Sequence, residues 1–101
     1  MAMLFRVEYI STFYDDVIHF ESILADYPQK AKRIFQKLDK ILLDLAKHPM
    51  MYPIYEYFPD FRRITIEDYL VFYTVNEKDN IIEIHRLLYG RMDIPKQISE
   101  N

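Results

Sequence analysis

The sequence predicts an α+β domain of element order β-α-α-β-β-β, with a helical hairpin packed on one face of a mostly antiparallel sheet. Three observations predict it. The chain opens on apolar and polar residues that alternate with period two; residues 13–48 repeat apolar side chains at steps of three and four; residues 61–89 hold three short runs rich in β-branched and aromatic residues, divided by turn residues. The 101 residues, 50% hydrophobic and 29% charged, suit a single globular domain spanning 1–101 rather than a disordered chain. Nine Tyr and seven Phe give so small a core large side chains to bury.

In the first strand, "LFRVEYIST" sets Leu4, Arg6 and Glu8 against Phe5, Val7 and Tyr9. Thr12 reads as the N-cap of the first helix, with Asp15 and Asp16 in the turn where anions suit a helix N-terminus. Phe13, Val17, Phe20, Leu24 and Tyr27 then share one helical face. Pro28 suits the first turn of a second helix. Its stripe is Ala31, Ile34, Phe35, Leu38, Ile41, Leu42 and Leu45, and His48-Pro49 ends it. The short link between the helices predicts an antiparallel hairpin. Residues 49–60, with three prolines among aromatics, read as an ordered connection. "FRRITIE", "YLVFYTVN" and "IIEIHRLLY" are the remaining strands, with Asp68 at one turn and "NEKDN" at the other. The middle run is apolar on both faces, as a central strand requires.

Composition excludes several classes. There is no Cys, hence no disulfide framework, thiol nucleophile or Cys-ligated zinc. His19, His48 and His85 have no metal-ligand spacing, Ser11 and Ser22 lie outside any nucleophile motif, and the sole glycine, Gly90, cannot build a phosphate loop. No metal and no cofactor are expected. The opening apolar run is too short for a signal peptide or membrane span, so the expected compartment is the cytoplasm, with no membrane partner. A net charge of −3 argues against a general nucleic-acid binder.

Charge is segregated within that sum. Residues 13–27 carry four acidic and no basic side chains, whereas residues 29–48 carry six basic against two acidic ones. Lys30, Arg33, Lys37 and Lys40 fall on one side of the second helix. They form either a basic face for a partner or a solvated face complementing the acidic neighbouring helix, and the second reading carries about twice the weight. The last strand ends in His85, Arg86, Tyr89, Gly90 and Arg91, an ending a purely core strand does not need. With Arg62 and Arg63 it gives an arginine set for phosphate: Arg62, Arg63, Arg86 and Arg91. If the last three strands neighbour one another in order, Arg63 and Arg91 are expected to converge at one end of the sheet.

These residues resemble a known family. Arg62-Arg63-Ile64, Tyr69-Leu70-Val71-Phe72-Tyr73 and Tyr89-Gly90-Arg91-Met92-Asp93 are similar, in order and spacing, to the C-terminal half of the RelE/ParE toxins of type II toxin–antitoxin (plasmid stabilisation) systems. The resemblance implies a curved sheet against a helical hairpin, and a growth-arresting toxin neutralised by a cognate antitoxin. One branch of the family cleaves mRNA on the ribosome without a metal; there Arg63 and Arg91 would hold phosphate, Tyr89 or His85 would transfer a proton or stack, and Glu56 would be a base. The other branch inhibits DNA gyrase by binding and is not an enzyme. The sequence departs from the ribonuclease pattern in having Tyr89 where the motif usually has His, and in its acidic charge. A non-toxic, degenerate member acting as a protein-interaction domain is the alternative reading.

Overall fold

A computed structural model describes residues 4–99. The elements are β1 (Arg6–Tyr9), α1 (Ser11–Ile23), α2 (Pro28–Leu45), β2 (Arg62–Ile66), β3 (Tyr69–Asn76), β4 (Ile81–Tyr89) and α3 (Ile94–Ser99). The sheet order is β1-β4-β3-β2; β1 runs parallel to β4, and β2, β3 and β4 pair antiparallel in sequence order. The predicted α+β order holds, and one element joins it. α3 is only six residues long, too short for periodicity to reveal.

β3 is central and buried on both faces. Val71 and Tyr73 lie under the α1–α2 hairpin in a core with Phe13, Phe20, Ile34, Leu38 and Leu45. Phe72 faces the other way into a second cluster with Tyr55, Leu88 and Ile94, flanked by Phe58 and Phe61. The 49–61 connection and α3 thus cover a face that a bare four-stranded sheet would leave wet. The connection is ordered, as predicted, because its carbonyls are spoken for. The Arg62 Nη1 donates to Tyr52 O at 2.8 Å and Met50 O at 3.2 Å, the Tyr73 hydroxyl donates to Pro49 O at 2.8 Å, and the Arg63 amide donates to Pro53 O at 3.0 Å.

β4 carries a β-bulge. Tyr73 pairs with Ile84 and Phe72 with Arg86, so His85 has no residue opposite. The extra residue reverses the alternation. Ile82, Ile84 and then Leu87 face the hairpin core, while Leu88 joins the second cluster. Without the bulge, strict period-two continuation from Ile84 would drive Arg86 into the hairpin core.

Two sequence expectations at the helices are corrected. Thr12 is not the N-cap: Ile10 occupies that position with no side-chain cap, and the Thr12 hydroxyl donates to His85 O at 2.7 Å. β1 has ended at that height, and the bulge carbonyl needs a donor from elsewhere. Tyr27 does not extend the buried face of α1, because the helix stops at Ile23 and Tyr27 lies exposed before Pro28. Pro28 does occupy the first turn of α2, and Ile34, Leu38, Leu42 and Leu45 are its buried residues.

Candidate functional site

The four arginines have four different fates. Arg62, opposite Tyr73, is tied to carbonyls of the 49–61 connection. Arg86 is buried, and its guanidinium is fully committed. Its Nε and Nη2 donate to both carboxylate oxygens of Asp16 at 2.7 and 3.1 Å, and Nη1 donates to Gln97 O in α3 at 2.8 Å. Asp16 also accepts the Leu87 amide at 3.0 Å. The two α1 side chains, Thr12 and Asp16, therefore satisfy β4 backbone groups where β1 no longer does. Asp16 was expected only to complement the helix N-terminus; instead it joins α1, β4 and, through Arg86, α3.

Arg63 is the arginine left with an unanswered group. It lies opposite Phe72 on the sheet face away from the hairpin, and its Nε is buried with no hydrogen-bond partner among the described residues. Close by, Tyr55 is buried and stacks edge-on to Phe72 at 4.9 Å. Burial pushes the Tyr55 hydroxyl above its usual 10, assisted by Tyr57 and opposed by the Arg63 charge. Tyr55 is a candidate missed in the sequence, since nothing separates it from Tyr52 or Tyr57 until the fold buries it beside Arg63. Glu56 is exposed in the same segment. His85 reaches this face too: its ring meets Phe61 edge-on at 5.1 Å and Nε2 lies 3.0 Å from Thr74 Oγ1. Burial lowers its pKa from 6.5, and Glu83 opposes the shift.

Tyr89 ends β4, and Arg91 follows it. Tyr89 pairs with Tyr69, which pairs with Ile66, whereas Arg63 pairs with Phe72. Three residue steps along β3, about 10 Å, therefore separate the two rungs, and Arg91 lies beyond Tyr89 in the exposed turn that follows. β2 and β4 run in the same direction, so the strands themselves do not bring Arg63 and Arg91 to one sheet end; past Tyr89 the chain turns back, and Met92, Asp93 and Ile94 lie with Tyr55 on the Arg63 face. Strand order alone therefore does not supply the convergence expected from the sequence. Tyr89 is partly exposed with its ring 5.6 Å from Tyr69.

Gly90 explains the shape of that end. Its amide donates to Asp68 O at 2.7 Å, and a Cβ there would lie 3.0 Å from the same oxygen. The glycine is required by this close approach, not by an unusual φ. Gly90→Ala is expected to cost about 1–3 kcal/mol by crowding the β2–β3 turn; an unchanged melting midpoint would contradict that.

The basic side of α2 is also largely answered, but not by α1. Arg33 donates to both oxygens of Glu67 at 2.8 and 2.7 Å, Lys37 adds a contact at 3.0 Å, and Lys30 approaches Asp68 at 3.5 Å. Glu67 is aimed there from a left-handed turn position with φ of 53°. Hydrogen bonds from Arg33, then Lys37, hold its pKa down to about 2 from the ordinary 4.5. The stabilisation from Glu67 is therefore complete above pH 4.5 and disappears as pH falls from 4.5 towards about 2. Urea unfolding of the wild type and Glu67→Gln should differ most at neutral pH and coincide near pH 2. A gap that stays constant across that range would refute the assignment.

A groove runs between α1, the end of β4 and α3. It encloses a cavity of about 320 Å³ whose walls include Phe20, Ile23, Leu88, Tyr89 and Met92, with the Asp16–Arg86 pair at one side. No helix among the described residues is long and apolar enough to cross a membrane.

With this geometry the comparisons can be read. A sequence model described as "ParE toxin of type II toxin-antitoxin system, parDE" matches residues 13–94. The chain belongs to the ParE toxin family. The toxin–antitoxin complex RelBE2 from Mycobacterium tuberculosis contains a chain similar to this ParE-family fold, with a TM-score of 0.62 and 16% identity, covering 86% of this chain and 99% of the other. A doubly substituted toxin RelE of E. coli in the free state is similar at a TM-score of 0.63 and 12% identity, covering 94% and 93%. At such identities these two structures speak for the fold. No curated protein sequence matches the chain. The ParE-family match spans α1 through the start of α3, and so contains Arg63, His85, Tyr89 and Arg91.

Proposed function

We propose that this ParE-family chain is a growth-arresting toxin that acts by binding DNA gyrase, as the ParE branch does, and is neutralised by a cognate antitoxin. The observation that carries the reading is how few of the ribonuclease candidates are left to hold a phosphate. Arg86 and Arg62 are committed to protein groups, and Tyr89 stands three residue steps along β3 from the Arg63 rung. Metal-free phosphodiester cleavage needs phosphate-holding cations and proton-transfer groups within reach of one phosphate. An inhibitor that works by binding needs no such convergence. The acidic net charge of −3 points the same way, since ribosomal RNA favours cationic partners.

Arg63 supports a second, weaker reading. Its unanswered Nε near Tyr55, on the sheet face that His85 also reaches, is what an anion-binding residue retained for ribosome-bound mRNA would look like. For the antitoxin, the groove between α1, β4 and α3 is the best seat, because its apolar walls leave Ile23 and Tyr89 part-exposed for an apolar segment that orders on binding.

Induced expression of the chain alone, with primer extension on cellular mRNA beside analysis of plasmid supercoiling, tests the proposal. Arrest with intact mRNA and altered supercoiling is expected, and co-expression of a cognate antitoxin should relieve it. Codon-phased mRNA cuts would move the assignment to ribosome-dependent cleavage. Unimpeded growth with well-folded protein accumulating would instead identify a non-toxic interaction domain.

A further inference from the structure

On the flank of α1 away from the groove with α3, a furrow runs between the two helices of the hairpin. Tyr14, Val17 and Glu21 fall at steps of three and four on α1, and Phe35 and Asp39 at a step of four on α2, so each set shares one helix face. With Phe13, and with Tyr9 at the end of β1, they line a cavity of about 320 Å³ that opens to solvent. Three of its walls are aromatic rings in mutual contact. Tyr9 stacks on Phe13 at 5.3 Å, and Tyr14 meets Tyr9 at 6.0 Å and Phe13 at 6.3 Å. Among the described residues its only charged walls are Glu21 and Asp39, one from each helix, and both are exposed. Neither carboxylate has an ion pair or a hydrogen bond among the described residues. Lys32 and Lys40, exposed on α2, answer neither of them. Burial and then the Asp39 charge push the Tyr9 hydroxyl above its usual 10, so that carboxylate is felt at the aromatic wall.

We propose that this furrow binds a segment of a protein partner by taking up one of its arginine side chains. A guanidinium is planar and charged. It lies flat against the Tyr9 and Tyr14 rings while its edge N–H groups turn to the carboxylates on either side. An ammonium has no planar face to stack, and a neutral amide has no charge to set between two carboxylates. Nor do two carboxylates make a divalent-metal site, and no group of three metal ligands stands among the described residues. A free small cation would leave part of the furrow unused. Past Glu21 and Phe35 the furrow continues between Leu24, Ala25, Pro28 and Ala31. That apolar track suits the residues flanking an arginine in a peptide. The inference rests on this furrow and not on the toxin reading, and it is independent of what fills the groove beside α3.

Nuclear magnetic resonance on the isotope-labelled full chain tests it, with capped arginine and the capped pentapeptide Leu-Ala-Arg-Ala-Leu as probes. Saturable shifts are expected at the amides of Tyr9, Tyr14, Glu21 and Asp39. Capped arginine should bind with low-millimolar affinity, and the peptide at least threefold more tightly. Replacing the arginine by its uncharged isostere citrulline should abolish the shifts. Glu21→Gln combined with Asp39→Asn should weaken binding at least tenfold, and Tyr14→Ala at least threefold. Asp15→Asn, on the same helix but outside the furrow, should change nothing. Circular dichroism establishes that each variant is folded; if the double variant is not, each single substitution should still weaken binding at least threefold. Shifts scattered over the acidic surface, or equal with citrulline, would overturn the proposal. So would a failure to saturate at tens of millimolar. A peptide that binds no more tightly than capped arginine would overturn the assignment to a protein segment.

Discussion

Asp16→Ala is expected to remove about 3–5 kcal/mol of stability, because it strands a buried cation and an amide together. Arg86 is buried, and Asp16 supplies both acceptors on one side of its guanidinium. The same carboxylate closes the Leu87 amide, which β1 is too short to reach. Truncation thus leaves an uncompensated charge and an open strand edge. Total stability for a domain of this size is about 5–15 kcal/mol, so the variant would be marginal at body temperature. At about 4–8 °C per kcal/mol, its melting midpoint should fall by at least ~12 °C. A control separates the pair from the site: Asp16→Leu combined with Arg86→Met should recover much of the loss, since apolar replacement removes the stranded charge. A loss below about 1 kcal/mol for Asp16→Ala would mean that the pair is solvated and not the tie described.

Phe72→Ala should be comparably severe, at about 3–5 kcal/mol, through lost burial and the cavity left behind. Phe72 is fully buried on the face away from the hairpin, against Tyr55 and Phe61. The effect should also be regional. α3 and the 55–61 segment rest on this cluster, so near-ultraviolet circular dichroism from the tyrosines should weaken before helical signal is lost from α1 and α2. Concerted loss of both signals at one urea concentration would show that the two faces of β3 do not separate in this way. Because Arg63 shares this face, Phe72→Ala should also disturb any anion bound there.

Most of the architecture was legible because it rests on periodicity and turn chemistry. The α2 stripe from Ala31 to Leu45 and the doubly apolar β3 are strong local signals, and each is found where expected. What was not legible depends on partners distant in sequence. Asp16 and Arg86 are 70 residues apart, and no local rule links them. The bulge at His85 is silent in "IIEIHRLLY" because only the pairing with β3 reveals the extra residue. Lys30, Arg33 and Lys37 formed a visible charged strip, yet their answer is the turn at Glu67 and Asp68 rather than the acidic helix beside them. The family was readable from motif order. The placement of the candidate site was not legible: pairing with β3 puts Arg63 and His85 on one face and Tyr89 three rungs away, and no local pattern shows that register.

The central claim is that this ParE-family toxin binds rather than cleaves, and purified gyrase tests it most directly. Titrating the chain into an ATP-dependent supercoiling reaction, with detection of protein-linked broken DNA, should give dose-dependent inhibition and trapped cleavage complexes. Arg91→Ala and Tyr89→Phe should separate any contribution of the exposed β4 end from that of the Arg63 face. Undiminished supercoiling at a large molar excess of folded chain, with cleavage of mRNA on programmed ribosomes by the same preparation, would contradict the account.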